Sequence, residues 1–296
     1  MSAPGSEPVA SGQESVDALV RLLDLETVEV DIFRGISPKV SMQRVFGGQV
    51  AGQALVAAGR TVPPDRAVHS LQAYFLRPGD PTVPIVYTVD RIRDGRSFTS
   101  RRVLAVQHGK AIFSLSASFH RAEEGLEHQG VMPQVPDPES LPTIAERVAP
   151  YADELGQWAR LPRPFDLRYV DDPPWVQRAD GPREPRSRVW MRASGRLPDD
   201  PLLHVCALTF ASDMTLLDSV LVRHGLAWGL DEVVGASLDH AMWFHRSFRA
   251  DEWLLYESES PSAAGGRGLA TGRIWTRDGR HVVSVVQEGL LRTIRR

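Results

Sequence analysis

The sequence predicts an α+β protein built from two fused copies of one helix-on-antiparallel-sheet unit, paired as a pseudo-dimer. The first observation behind this is strand-like alternation, which recurs in both halves. The second is order: helix, strands and a hairpin follow one another twice. The third is spacing. Tyr74-Phe75-Leu76-Arg77 corresponds to Trp243-Phe244-His245-Arg246, 169 residues on (243 − 74), and Gly109-Lys110 to Gly279-Arg280, 170 on (279 − 109). A near-constant offset with a shared order of elements marks an internal duplication. Joining the halves edge to edge would hide sheet edges that otherwise invite aggregation.

A chain of 296 residues suits two such units. Residues 1–15 are rich in Gly, Ser, Pro and Glu and are expected to form a flexible tail. They lack the basic start and apolar stretch of a signal peptide. An amphipathic helix over Val16–Leu25 opens the first unit, which runs over residues 16–120. Arg44–Arg60 reads as a second helix whose Ala and Gly residues permit close packing. Strand-like runs follow at Val68–Leu76, Pro84–Ile92, Phe98–Gln107 and Lys110–Phe119. In the last, Ala111, Phe113, Leu115, Ala117 and Phe119 share one face. His108-Gly109 reads as a hairpin turn. Residues 121–185 hold 11 of the 22 prolines and little periodicity, which marks a connection, with a short helix near Ile144–Leu161.

The second unit spans residues 186–296. Arg188–Met191 starts a strand, and Leu203–Phe210 is another apolar run. Met214–His224 carries apolar residues on one helical face, with Gly225 as its C-cap. Strand-like runs return at Ala236–Phe244, Trp253–Ser258, Leu269–Thr276 and His281–Gly289, with a hairpin at Asp278-Gly279.

Composition excludes several functions. Hydrophobic residues make up 42% and charged residues 24%, as in ordinary globular proteins. A net charge of −3 provides no basic field for nucleic acid or a membrane surface. No run approaches the ~20 apolar residues of a membrane helix. The single cysteine, Cys206, rules out an intrachain disulfide and fits a reducing compartment. The last residues, Thr293–Arg296, lack a Ser-Lys-Leu signal, so the cytoplasm is the expected location. There is no G-x-S-x-G elbow, which argues against an α/β-hydrolase. No HExxH or CxxC spacing indicates a metal, and Gly265-Gly266-Arg267-Gly268 lacks the phosphate-binding lysine.

Six ordered stretches carry a family resemblance: Phe33–Gly35 (FRG), Arg44–Leu55 (RVFGGQVAGQAL), His69–Pro81 (HSLQAYFLRPGDP), Arg93–Phe98 (RDGRSF), Ser237–Arg246 (SLDHAMWFHR) and Val286–Arg292 (VQEGLLR). Together they resemble the acyl-CoA thioesterase II family over nearly the whole chain. The resemblance implies a double hotdog fold and hydrolysis of acyl-CoA to a free acid and coenzyme A. No cofactor is implied, acyl-CoA being the substrate, and the resemblance alone implies a homo-oligomer. It also implies a catalytic Asp–Ser–Gln trio, carried by motif onto Asp213, Ser237 and Gln287. Relatives often carry Thr where this chain has Ser237; both supply the hydroxyl.

Thioester hydrolysis needs an oriented, partly deprotonated water and donors for the oxyanion. A thiol of pKa about 8.5 leaves without help. A carboxylate, a hydroxyl and an amide meet the first need. Backbone N–H groups at a helix start meet the second, either near Gly47-Gly48 or near Asp213. Gly47, Gly48, Gln49 and His69 are further candidates for lining the site. Aligning FGGQ with FASD sets Gln49 opposite Asp213 (213 − 49 = 164), Val68 opposite Ser237 and Ala117 opposite Gln287. The first half thus lacks all three groups, and one site per chain, in the second half, is expected. Plainer roles exist for each: Asp213 as a helix N-cap, Ser237 as a strand-edge hydroxyl, Gln287 as a buried structural amide, Gly47-Gly48 as close packing, His69 as a strand histidine bonded to backbone. Two rival functions remain open. One is a hotdog enoyl-CoA hydratase or dehydratase, for which His69 would be the tempting acid–base group. The other is a non-catalytic acyl-CoA-binding protein.

Overall fold

The structure, a computed structural model, describes residues 12–38, 44–156, 163–228 and 233–293. The expected tail lies outside the described residues as far as residue 11. Helix α1 (Gly12–Leu23) buries Ser15, Val16, Leu19 and Leu23 at helical spacing. Two short strands that periodicity does not reveal, β1 (Glu26–Glu29) and β2 (Ile32–Gly35), precede helix α2 (Gly47–Gly59). Strands β3 (Arg66–Phe75), β4 (Ile85–Asp94), β5 (Phe98–Gln107) and β6 (Lys110–Arg121) then fall close to the predicted runs. His108 and Gly109 turn the last hairpin at φ 49° and 70°, the doubly left-handed turn that matches strand twist.

The proline-rich connection contributes β7 (Phe165–Tyr169) between short helical turns. The second unit contains β8 (Arg186–Ala193), α3 (Pro201–Ser212), α4 (Asp218–Arg223), β9 (Val233–Ser237), β10 (Asp239–Phe244), β11 (Leu254–Ala264), β12 (Arg267–Thr276) and β13 (His281–Thr293). The strands form one 13-stranded sheet in the order β1-β2-β4-β5-β6-β3-β10-β13-β12-β11-β8-β7, with β9 also paired to β13. The pairings within it are antiparallel, and the halves join through β3 and β10. This is the edge-to-edge double hotdog.

Two departures from the sequence reading matter for the site. The apolar run Leu203–Phe210, to which the sequence assigns no element, is the middle of helix α3. It is buried on almost every side, so it carries no amphipathic period, and a uniformly apolar stretch does not distinguish helix from strand. Conversely, Met214–His224 is helical only over Asp218–Arg223, with a turn before it. Gly225 does end that helix, at φ 64°.

Helices α2 and α3 run antiparallel in contact. A Cβ on Gly48 would meet the Phe210 carbonyl oxygen, one on Gly52 would lie 3.1 Å from the Cys206 carbonyl oxygen, and one on Gly59 would press on Leu202. Small residues on α2 are what let the two backbones approach. All of residues 48–58 are buried, including Gln49 and Gln53. Gln49 donates to the Ile36 carbonyl and Ser37 Oγ. Gln53 donates to the Leu22 and Ile36 carbonyls and accepts from the Tyr87 hydroxyl.

The contacts fix the true register of the duplication. In a two-fold pairing, a residue at the centre faces its own counterpart. On the sheet that centre is Gln72 facing Ala241, 169 residues apart (241 − 72), the offset read from the sequence. On the helices the two starts, Gly47 and Pro201, are 154 apart (201 − 47), and Gly52 meets Cys206 at the same separation (206 − 52). The second half thus carries 15 extra residues (169 − 154) between helix and strand, namely α4 and its flanking turns. The 164-residue alignment of FGGQ with FASD is corrected accordingly, because it set a helix start against a helix end. Asp213 follows α3 rather than preceding a helix, and its counterpart in the first half is Gly59.

Candidate active site

Three elements deliver three side chains to one point. Asp213 ends α3, Ser237 ends β9, and Gln287 lies on β13. Beyond Ser237 the chain leaves one ladder and enters another: Ser237 pairs with Gly289, whereas Ala241 pairs with Val286. The irregularity between them re-aims the strand, as bulges beside active sites do. Val283, Val285 and Gln287 share the buried face of β13, as alternation requires.

The three groups are mutually bonded. Ser237 Oγ donates to Asp213 Oδ1 at 2.9 Å. Gln287 Nε2 donates to Asp213 Oδ1 at 2.7 Å and to Ser237 Oγ at 2.7 Å. Both amide protons are thereby used within the trio. Behind it, His240 Nδ1 lies 2.9 Å from Gln287 Oε1, and His240 Nε2 lies 2.8 Å from Ser212 Oγ. Burial pushes the His240 pKa below the ordinary imidazole value, against opposing effects of Asp213 and Gln287.

Asp213 and Ser237 open onto a cavity of about 560 Å³ lined by Phe46, Phe75, Phe113, Leu217 and Trp228, with Arg44 and Arg77 exposed at its edge. Gln287 is 1% exposed and sits behind the other two. The start of α2 borders the same cavity through Gly47. A Cβ there would lie 2.6 Å from Asp213 Oδ2, so only glycine admits the carboxylate. The N-cap of α2 is Phe46, which makes no side-chain cap bond, so the first turn of α2 has no side-chain acceptor from its own cap. A second carboxyl, Asp218, lines this cavity and is 3% exposed. Burial pushes its pKa up to about 7, although the Tyr169 hydroxyl donates to it at 3.0 Å and the Trp228 side chain also bonds it.

Of the other candidates, only Gly47 reaches the cavity. Gly48 packs beneath, against Phe210 and Phe46, because the next residue of a helix points elsewhere. Gln49 is spent on the Ile36 and Ser37 bonds. His69 occupies an irregularity in the β3–β6 ladder and bonds Ser118 Oγ at 2.8 Å, beside Phe98 and His120. Arg267 pairs with Glu288 and does not line the cavity. Sequence reasoning missed His240, Ser212, Arg44, Arg77 and Asp218. His240 lies in the Ser237–Arg246 stretch and Ser212 precedes Asp213, while Arg44 and Arg77 lie in the Arg44–Leu55 and His69–Pro81 stretches, so their motifs were visible though their roles were not; Asp218 carried no signal. Among the described residues, no cluster of three His, Cys, Asp or Glu is placed to hold a metal, and no helix is long and apolar enough to cross a membrane.

Fold and site together place the chain among hotdog-fold thioesterases. Residues 162–290 match the family described as acyl-CoA thioesterase, and residues 36–120 match the acyl-CoA thioesterase N-terminal domain. Acyl-coenzyme A thioesterase 8 of Mus musculus is 43% identical over 92% of this chain and 88% of its own length. Acyl-CoA thioesterase 2 of Haemophilus influenzae is 39% identical over 93% and 96%. The crystal structure of acyl-CoA thioesterase II TesB2 from Mycobacterium marinum superposes with a TM-score of 0.76 at 47% identity, covering 93% of this chain and 98% of that one. The chain belongs to the acyl-CoA thioesterase family and is a thioester hydrolase.

Proposed function

We propose that acyl-CoA is hydrolysed here by a single water activated by Asp213, Ser237 and Gln287. The mutually bonded trio at the wall of an apolar cavity is the observation that supports this. Asp213 Oδ1 is occupied by Ser237 and Gln287. Both described donors to Asp213 sit on Oδ1, which leaves Oδ2 available to a water. Oδ2 takes the water's proton as its oxygen attacks the thioester carbonyl. The uncapped N–H groups at the start of α2 meet the oxyanion, aided by the positive end of the helix dipole. Collapse of the tetrahedral intermediate expels coenzyme A as thiolate, which then regains the proton. Ser237 and Gln287 fix the carboxylate, and Gln287 acts from behind without touching the water. The aromatic walls hold the acyl chain, and Arg44 and Arg77 supply positive charge for the coenzyme A phosphates.

The counterpart positions in the first half are Gly59, Val68 and Ala117, which favours one site per chain. No histidine is among the residues lining the cavity, which favours hydrolysis over hydration. Asp213→Asn keeps the shape and removes the base. Its kcat should fall by about 10²–10⁴-fold with an unchanged melting temperature, followed as free thiol released from acyl-CoA. A folded variant with near-normal turnover would sink the proposal.

A further inference from the structure

The amide of Gln287 has two orientations of nearly equal shape, and only one of them works. Asp213, as a carboxylate, only accepts, so Gln287 must turn Nε2 toward it. The two protons on Nε2 then serve Asp213 Oδ1 and Ser237 Oγ, both at 2.7 Å. That leaves Oε1 facing His240 Nδ1 at 2.9 Å. An amide oxygen only accepts, so Nδ1 must carry the proton. A fully buried ring is costly to charge, so it holds the one proton, and its bare Nε2 accepts from Ser212 Oγ at 2.8 Å. The Thr209 carbonyl, 3.0 Å from Ser212 Oγ, competes for that one hydroxyl proton. His240 is 0% exposed, so no water takes its place. Each link is an acceptor set against a donor, from Ser212 through His240 and Gln287 to Asp213.

We propose that His240, supported by Ser212, is a positioning residue: with its proton on Nδ1 it locks the Gln287 amide so that the amino group faces Asp213 and Ser237. The proposal rests on the trio reading above. Without a donor at position 240, Oε1 is buried and unpaired, and the amide is free to flip. A flipped amide sets oxygen against the Asp213 carboxylate and Ser237 loses its donor. The carboxylate then drifts from the water.

Asn and Leu at position 240 separate hydrogen bonding from packing. An asparagine Nδ2 falls close to where the imidazole Nδ1 stood, so His240→Asn keeps the donor to Oε1. His240→Leu keeps volume and loses the donor. The proposal expects His240→Leu to lower kcat on the order of 10²-fold, as a misplaced catalytic group does, with KM within about threefold, and His240→Asn to recover most of that loss. Nitrogen-15 NMR of the wild-type protein should show His240 protonated at Nδ1 and bare at Nε2 near neutral pH, an observation that stands even if a variant fails to fold. Folded His240→Leu with full turnover, His240→Asn as impaired as His240→Leu, or a ring protonated at Nε2 overturns it. Asp213→Asn measured alongside keeps the two ideas apart. If Asp213→Asn is inert while His240→Leu is normal, only the positioning role falls. If Asp213→Asn turns over normally, the trio falls first.

Discussion

Asp218 shares a cavity with Asp213 but has no bond to the trio, and its environment gives it a different consequence. Its pKa is about 7 in the folded chain against 3.8 for an unperturbed carboxyl. Below pH 4 the group is protonated in folded and unfolded chains alike. Between about 4 and 7 the unfolded chain ionises while the folded chain keeps its proton. Stability therefore falls as pH rises through this window, by up to about 1.4 kcal/mol per pH unit, and levels off above it. Asp218→Asn removes the charge while leaving an acceptor for Tyr169. Its melting temperature should exceed that of the wild type at pH 8, and the two curves should converge near pH 4. An equal loss at both pH values would contradict this account. Arg77 makes a separate test. It is exposed at the cavity edge, with its guanidinium on the Ala111 carbonyl. Arg77→Gln should raise KM for acyl-CoA several-fold with little change in kcat, since it would weaken binding of ground and transition states alike. A change in kcat alone would place Arg77 elsewhere in the cycle. At this scale the sequence was informative only where a motif carried it. Asp213, Ser237 and Gln287 were legible through their neighbours in the chain. His240 stands in the same motif as Ser237, but its role was not legible, because that depends on which nitrogen carries a proton and so on the three-dimensional pairing.

Among the elements, the helix pair is the most demanding. Gly48 meets the Phe210 carbonyl and the Phe46 ring with no room for a methyl group. Gly48→Ala should cost roughly 1–3 kcal/mol by forcing α2 and α3 apart, a clear drop in melting temperature. Gly109 gives the contrast. Nothing lies within 4 Å of a Cβ there, and only its φ of 70° resists substitution. Gly109→Ala should cost about 1 kcal/mol, and a reversed order of the two effects would show that the helices yield more easily than the turn. Strands were legible where one face is buried and the other wet, as in β6, because the two-residue period is then written in the side chains. Strands β1, β2 and β7, four or five residues each, are too short to show a period. Helix α3 failed for the opposite reason: its burial leaves it almost no polar face. From that error followed the wrong partner for Asp213, Gln49 in place of Gly59, while the strand offsets that pair Val68 with Ser237 and Ala117 with Gln287 agree with the ladders.

For the whole molecule, the join between β3 and β10 and the α2–α3 contact both cross the fusion of the two halves. Neither half completes a core or a sheet edge alone. A fragment ending at residue 121 should aggregate through the bare edge of β3, and should become soluble when expressed together with residues 122–296, restoring thioesterase activity. A soluble, monomeric fragment on its own would show that the join is dispensable. Binding of a non-hydrolysable acyl-CoA analogue should saturate at one per chain, measured by calorimetry; two per chain would mean that the first half kept a working pocket.

On the one-site proposal, the surroundings of positions 59, 68 and 117 set a further barrier to rebuilding the trio in the first half. The counterpart of Gly47 is Pro201, a residue with no N–H to offer an oxyanion. Beside it, Asp200 already spends its carboxylate on the Leu202 amide at 2.9 Å, and the Leu202 side chain presses on Gly59. Installing an aspartate at 59, a serine at 68 and a glutamine at 117 would therefore yield three polar groups and no vacant space for a thioester.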